Sequence, residues 1–256
     1  MEKRFNQGGS RFMIPAMRQE KILNILSNDE IVSVEDLMDV LNISISTIRR
    51  DLSKLEKESK IVLLHGGGVK LAQKPTELSI TTKLDLNRDA KYLIAKKAVS
   101  LIQDGDVIFV DPSSTTYHMI PLLTDKNITV ITNSISHINQ LIHYGVPSIM
   151  VGGNIKSTTN SCIGPIAEST LKDLNFNKCF LGANGFTIQA GITNHDINEK
   201  VIKTLALQNS ATPYFLIDSS KYGCITMVKI ADLDTYPIIT ESVSEELKDY
   251  KNIILA

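Results

Sequence analysis

SISTIRRDLSKLEKESKIVLLHGGGVKL, residues 44–71, changes its periodicity half-way along. Ile45, Ile48, Leu52 and Leu55 recur at helical spacing and leave Ser46, Thr47, Arg49, Arg50 and Lys54 on other faces. After Lys60 come Ile61-Val62-Leu63-Leu64, then His65-Gly66-Gly67-Gly68, then Val69-Lys70-Leu71. This predicts a helix followed by two short strands around a glycine-rich tip. Upstream, Ile22, Ile25 and Leu26, then Val34, Leu37, Met38 and Leu41, repeat the helical spacing. Ser33 is placed to cap the second helix with Asp36 near the capping-box position, and Asn42-Ile43-Ser44 interrupts the pattern with Ser44 as the next N-cap. Three packed helices and a wing result, a winged helix-turn-helix.

The outward side chains of the third helix suit a DNA duplex. Arginine pairs bidentately with guanine, Ser and Thr hydroxyls bond phosphates or base edges, and a helix N-terminus attracts phosphate. Ser44, Ser46, Thr47, Arg49, Arg50 and Lys54 are the candidates. Six basic residues stand against three acidic ones between Ser44 and Leu71, so this stretch is cationic although the whole chain carries a net charge of -1. A merely solvated helix face also carries such a charge run.

At 256 residues the chain can hold a module of about 60 residues and a domain of about 170, each with its own core. A hydrophobic content of 43% excludes a disordered tail. No apolar run approaches the roughly 18 residues of a membrane helix. Lys3, Arg4 and Arg11 have no apolar stretch behind them, so no signal peptide is expected. Cys162, Cys179 and Cys224 lack C-x-x-C spacing, which fits thiols in a reducing, cytoplasmic setting. His118, His137, His143 and His195 show no ligand spacing, and neither a metal nor a cofactor is expected.

The expected organisation is a flexible lead-in over 1–15, the winged helix-turn-helix over 16–71, a linker over 72–89 and a second domain over 90–256. The linker, AQKPTELSITTKLDLNRD, is mostly polar, contains Pro75 and lacks a sustained apolar period. Beyond it, strand-like runs at 107–110, 128–131, 148–151, 179–181, 214–217, 238–239 and 253–255 alternate with helical stretches. The fold class is therefore α/β, a mostly parallel sheet flanked by helices.

Loops at the C-terminal ends of those strands carry the polar motifs. They are Asp111-Pro112-Ser113-Ser114-Thr115-Thr116, Thr132-Asn133-Ser134, Val151-Gly152-Gly153, Leu181-Gly182-Ala183-Asn184-Gly185 and Asp218-Ser219-Ser220-Lys221. Open α/β sheets gather ligand-binding loops at these ends. The Ser/Thr loop, running into a helix expected near Tyr117, offers hydroxyls and amides to an anion; it would equally serve as an ordinary N-cap. Asn184 can bond hydroxyls in both senses, and Lys221 supplies a point charge.

Ser44-Ile45-Ser46-Thr47-Ile48-Arg49-Arg50-Asp51-Leu52, the following His65-Gly66-Gly67 and the strand-end motifs together resemble the DeoR family of bacterial regulators over almost the whole chain. The resemblance implies Arg49 and Arg50 in a recognition helix, with His65 and Gly66 beside phosphates or the minor groove. It implies a second domain of ribose-5-phosphate-isomerase-like fold that binds a phosphorylated sugar-type effector. Asp111, Ser113, Ser114, Thr115, Thr116, Asn133, Gly152, Gly153, Gly182, Asn184, Gly185 and Lys221 are the candidate effector residues. Its implied partners are a double-stranded DNA operator and further copies of the chain, as a dimer or tetramer, with no membrane. Repression of carbohydrate genes is the implied role.

The alternative is a sugar-phosphate isomerase-like enzyme fused to a DNA-binding module. Such isomerases carry a strand-end Asp-Gly-Ala-Asp-Glu, where this chain has Leu181-Gly182-Ala183-Asn184-Gly185. Proton abstraction beside a carbonyl needs a placed base, which an amide is not. Binding without turnover is expected, with no catalytic residue assigned. Glu199 and Lys203, on a charged helix of the effector domain, are left open between salt bridging and ligand contact.

Overall fold

The computed structural model describes residues 14–26, 31–57, 60–64, 66–71 and 78–256, apart from the side chains of Ala16 and Lys57. Two compact units divide the chain, Met1–Thr76 and Glu77–Ala256.

The first unit runs α1 (Pro15–Leu26), β1 (Val32–Ser33), α2 (Val34–Leu41), α3 (Ile45–Lys57), β2 (Ile61–Leu63) and β3 (Gly68–Leu71). Ser33 caps α2 by accepting from the Asp36 amide at 3.0 Å, and Asn42 ends that helix in the left-handed region at φ 49°. The chain can therefore reverse into α3 within three residues. Ile48, Leu52 and Leu55 of α3 are fully buried with Ile22, Leu26, Leu37 and Leu41. Each such side chain contributes about 1.5–3 kcal/mol by leaving water. Ile45 departs from the expected inward stripe, since it is 37% exposed. β1, β3 and β2 form one antiparallel sheet, and Gly66 and Gly67 make its turn at φ 92° and 82°, a region side chains avoid.

The second unit begins earlier than expected. Residues 72–77 of the expected linker, like 1–13 of the lead-in and His65 at the wing tip, lie outside the described residues. The rest of 72–89 is not a linker: α4 (Ile80–Asp85) forms there, and α5 (Arg88–Ser100) starts two residues before the expected boundary. Apolar periodicity missed α4 because Ile80 is its only buried residue.

There follow β4 (Val107–Val110), α6 (Ser114–Tyr117), β5 (Thr129–Thr132), α7 (Ile135–His143), β6 (Ser148–Met150), β7 (Asn154–Lys156), β8 (Ser161–Ile163), α8 (Pro165–Lys172) and β9 (Phe176–Leu181). The chain closes with β10 (Gly185–Thr187), β11 (Gly191–Asn194), α9 (Ile197–Gln208), β12 (Ser210–Leu216), β13 (Val228–Ala231), β14 (Ile238–Thr240) and β15 (Ile253–Leu255). Seven strands make one parallel sheet in the order β15-β14-β12-β9-β4-β5-β6. Alternate side chains of each central strand enter different cores. Ile108, Val110, Phe180 and Leu216 pack with α5 and α7, whereas Phe109, Cys179, Leu181 and Phe215 pack with α8 and α9. An antiparallel sheet, β10-β11-β13, and the β7–β8 hairpin were not expected from the sequence.

Candidate functional site

The chain runs outward from β4 through β5 to β6 in one direction and from β9 through β12 to β14 and β15 in the other. The strand order thus reverses between β4 and β9, and crevices outside such reversals hold ligands in open α/β sheets. Asp111 directly follows β4 and Gly182 directly follows β9. The loops after these strands pack so closely that a Cβ on Gly182 would lie 2.3 Å from the Ser113 Cβ. A cavity opens here, lined by Ser113, Ser114, Thr115, Gly182, Asn184 and Lys221 from among the candidates. Ile80, Lys83, Thr159, Asn194, Glu199, Lys203 and Asp218 line it as well.

Beneath the cavity floor lies a network of buried charge. Asp111, with no exposed surface, accepts the Gly182 amide at 3.0 Å and the Ser113 amide at 3.1 Å, and pairs with the Lys203 ammonium. Lys203 also donates to the Gly182 carbonyl at 3.0 Å, so its charge is held at the cavity wall. Glu199 accepts from Lys156 at 3.0 Å, Thr159 at 2.7 Å and Asn194 at 2.9 Å. Burial opposes its ionisation, but Lys203, Thr159, Lys156 and Asn194 together hold its carboxyl below the ordinary value of 4.5. Both residues left open from the sequence are therefore in salt bridges and at the cavity at once.

Six candidates are not at the cavity surface. Asp111 acts from beneath it. The helix expected near Tyr117 begins at Ser114, so Thr116 is inside the turn, with its hydroxyl 2.7 Å from the Asp111 carbonyl oxygen and 3.0 Å from His137 Nε2. Asn133 donates to the Cys162 carbonyl at 2.8 Å. That bond joins the end of β5 to β8 of the hairpin, and Gly153 meets Ile163 and Ala167 on the same side. Gly152 and Gly153 are thereby outside the cavity, and Gly185 packs against the Cys224 backbone.

In the first unit the DNA-reading candidates share α3 and its entry. Ser44, Ser46, Arg49, Arg50 and Lys54 are exposed, and Thr47 is half-buried. Ser44 Oγ lies 2.9 Å from Thr47 Oγ1, and its carbonyl accepts the Thr47 and Ile48 amides at 3.0 Å each. Gly66 is exposed at the wing turn. The sequence reading passed over Asp51, which is 3% exposed and accepts from Arg18 Nε at 2.7 Å and Gln19 Nε2 at 3.1 Å. This ties α1 to the inner side of α3.

A model of the DeoR-like helix-turn-helix domain matches residues 18–74, and one of the DeoR C terminal sensor domain matches residues 86–242. The chain belongs to the DeoR family. It is thus a DNA-binding transcriptional regulator with a C-terminal sensor domain. It is 35% identical to the uncharacterized HTH-type transcriptional regulator FruR of Bacillus subtilis, over 91% of this chain and 93% of that one. The lactose phosphotransferase system repressor of Lactococcus lactis is 37% identical over 80% and 82% of the two chains. A ribose 5-phosphate isomerase A structure from Methanocaldococcus jannaschii matches 53% of this chain and 55% of its own, at 21% identity and a TM-score of 0.40.

Proposed function

We propose that the sensor unit of this DeoR-family regulator binds a phosphorylated sugar or polyol without turning it over, and that binding changes the affinity of the helix-turn-helix for its operator. The carrying observation is the convergence of Lys83, Lys203 and Lys221 with Ser113, Ser114 and Thr115 around one cavity. Lysines act on phosphate as point charges, and hydroxyls complete the anion's hydrogen bonds. Asn184 and Asn194, on the same wall, suit the hydroxyls of a sugar.

The acids argue for binding alone. Glu199 already accepts from three donors, and Asp111 is paired with Lys203 beneath the floor, so neither is poised to take a substrate proton. Asn184 Oδ1 accepts the His195 amide at 3.2 Å and serves as a structural acceptor. The role proposed is repression of carbohydrate genes in the cytoplasm, relieved by the effector; the Lactococcus relative, a lactose phosphotransferase system repressor, supports the repression. A homo-oligomer, dimer or tetramer, would set paired recognition helices over repeated half-sites, with Ser44, Ser46, Thr47, Arg49, Arg50 and Lys54 facing the duplex. The required coupling is of order 1–3 kcal/mol.

A thermal-shift series on the full chain tests this, with phosphorylated sugars and polyols set against their unphosphorylated forms. At about 100 times Kd a ligand adds about 2.7 kcal/mol of stability. A shift confined to phosphorylated compounds is expected; no shift with any of them removes the sugar-phosphate reading.

A further inference from the structure

α4 lies between the two segments that match the DeoR domain models, 18–74 and 86–242, yet it forms part of the cavity wall through Ile80 and Lys83. It is also the first helix of the sensor unit among the described residues. Six residues are too few for a helix to persist alone in water, so its docking must hold it.

That docking combines one buried side chain with packing against α6 and hydrogen bonds at both ends of the helix. Ile80 is the only buried side chain of α4, and its amide donates to the Thr158 carbonyl at 2.9 Å. Ser79 caps the first turn by accepting the Thr82 amide at 3.2 Å. At the far end the Lys91 ammonium, 2% exposed, donates to the Lys83 carbonyl and, at 2.6 Å, to the Leu86 carbonyl. A cation on the last carbonyls of a helix offsets both their unsatisfied acceptors and the helix dipole. An element with so few buried contacts belongs to the low-stability end of a fold and opens readily.

The charges around it favour an anion. Burial lowers the Lys91 pKa, Asp218 raises it, and the neighbouring Lys221 and Lys83 lower it further, with Asp85 opposing. Lys221 and Lys83 therefore repel the Lys91 charge, while Asp218 and Asp85 attract it. An anion between Lys83 and Lys221 would relieve that repulsion in the docked arrangement alone, and a ligand shifts an equilibrium only by such a difference.

We propose that α4 is a strap whose docking depends on anion occupancy of the cavity, with Lys83 touching the anion and Lys91 anchoring the C-terminal end of the strap. The proposal rests on the cavity being the effector site and adds how occupancy is sensed. The ligand fastens the first described helix of the sensor unit.

Hydrogen exchange on the full chain, with inorganic phosphate as the probe, tests this. At phosphate about ten times its Kd, amides 80–86 are expected to exchange about tenfold more slowly, because ligand bound only to the docked form lowers the open population by 1 + [L]/Kd. Amides 114–116, in the neighbouring α6, are protected in the same titration. In Lys83→Gln, at about ten times that variant's own Kd, protection of 114–116 persists and that of 80–86 is lost. Lys91→Met exchanges faster over 80–86 without phosphate, at unchanged rates in β4 and β9; if it does not fold, the Lys83→Gln comparison decides. Protection of 114–116 with none at 80–86 overturns the strap and leaves the site standing. Protection of neither overturns both, and strap protection that survives Lys83→Gln overturns the role of Lys83.

Discussion

The DNA-binding and sensor units place their charges in opposite ways. In the first, Arg49 and Arg50 stand in water and one buried acid among the described residues, Asp51, lies behind them. In the second, Asp111, Glu199 and Lys203 are all buried, at 0%, 6% and 6% exposure, and are paired with one another or with neighbouring donors. A duplex is met at a surface, where the arginines stay hydrated until it arrives. A small effector must be enclosed, and enclosure strips water from every charge in the wall, so each one needs a fixed partner. Apart from the wing, the DNA-reading candidates of the first unit therefore lie on α3 and its entry, whereas the residues lining the cavity are drawn from Ile80 to Lys221.

Asp111→Ala breaks the contrast most severely. It leaves Lys203 buried without its carboxylate, at an expected cost of about 3–5 kcal/mol. All seven tyrosines lie beyond residue 90 and the chain has no tryptophan, so tyrosine emission in urea reports the sensor unit alone. An unchanged midpoint would mean that this pair does not hold the cavity floor.

Asp51→Ala is the counterpart in the other unit. Arg18 and Gln19 lose their acceptor, and a loss of about 2 kcal/mol is expected. Amide exchange in α1 and α3 should accelerate while the tyrosine midpoint stays put; a shift in both would show that the unit boundary does not isolate the effect. Arg50→Ala should do the reverse, weakening operator binding by about 1–3 kcal/mol while stability moves by no more than about 0.5 kcal/mol. Wild-type affinity in that variant would remove Arg50 from the reading face.

The gentlest test uses pH. Burial, and secondarily His118, lower the His137 pKa from 6.5 to about 3, so the folded ring stays neutral where the unfolded one takes a proton. Its contribution to stability is complete above 6.5 and is lost as pH falls towards 3. The expected slope is up to about 1.4 kcal/mol per pH unit. Glu199, held below 4.5, adds a further loss as pH falls through its folded value. His137→Gln should flatten the decline above the carboxylate range; an undiminished slope there would assign it to other groups.

Local pattern carried the first unit almost whole. The spacing of Ile48, Leu52 and Leu55, the Ser33 cap and the glycine tip each act within a turn or two of chain, so they are visible without coordinates. The same holds for the seven strands of the parallel sheet and for Ser113, Gly182, Asn184 and Lys221, since a strand end followed by small or polar residues is a local signal. Asn133, Gly152 and Gly153 carry that signal too, but the β7–β8 hairpin and α8 take up their side of the sheet.

By itself the sequence determined the two-domain order, the helix-turn-helix and the set of loops from which a site could be made, because backbone propensity and hydrophobic period are properties of neighbours in the chain. Tertiary structure alone decided which loops meet. It brought Lys203 to Asp111 across 92 residues, closed three donors on Glu199 and turned part of an expected linker into a cavity wall. Those choices follow from strand order and from the need to pair every buried charge, and neither condition acts over a short span of sequence.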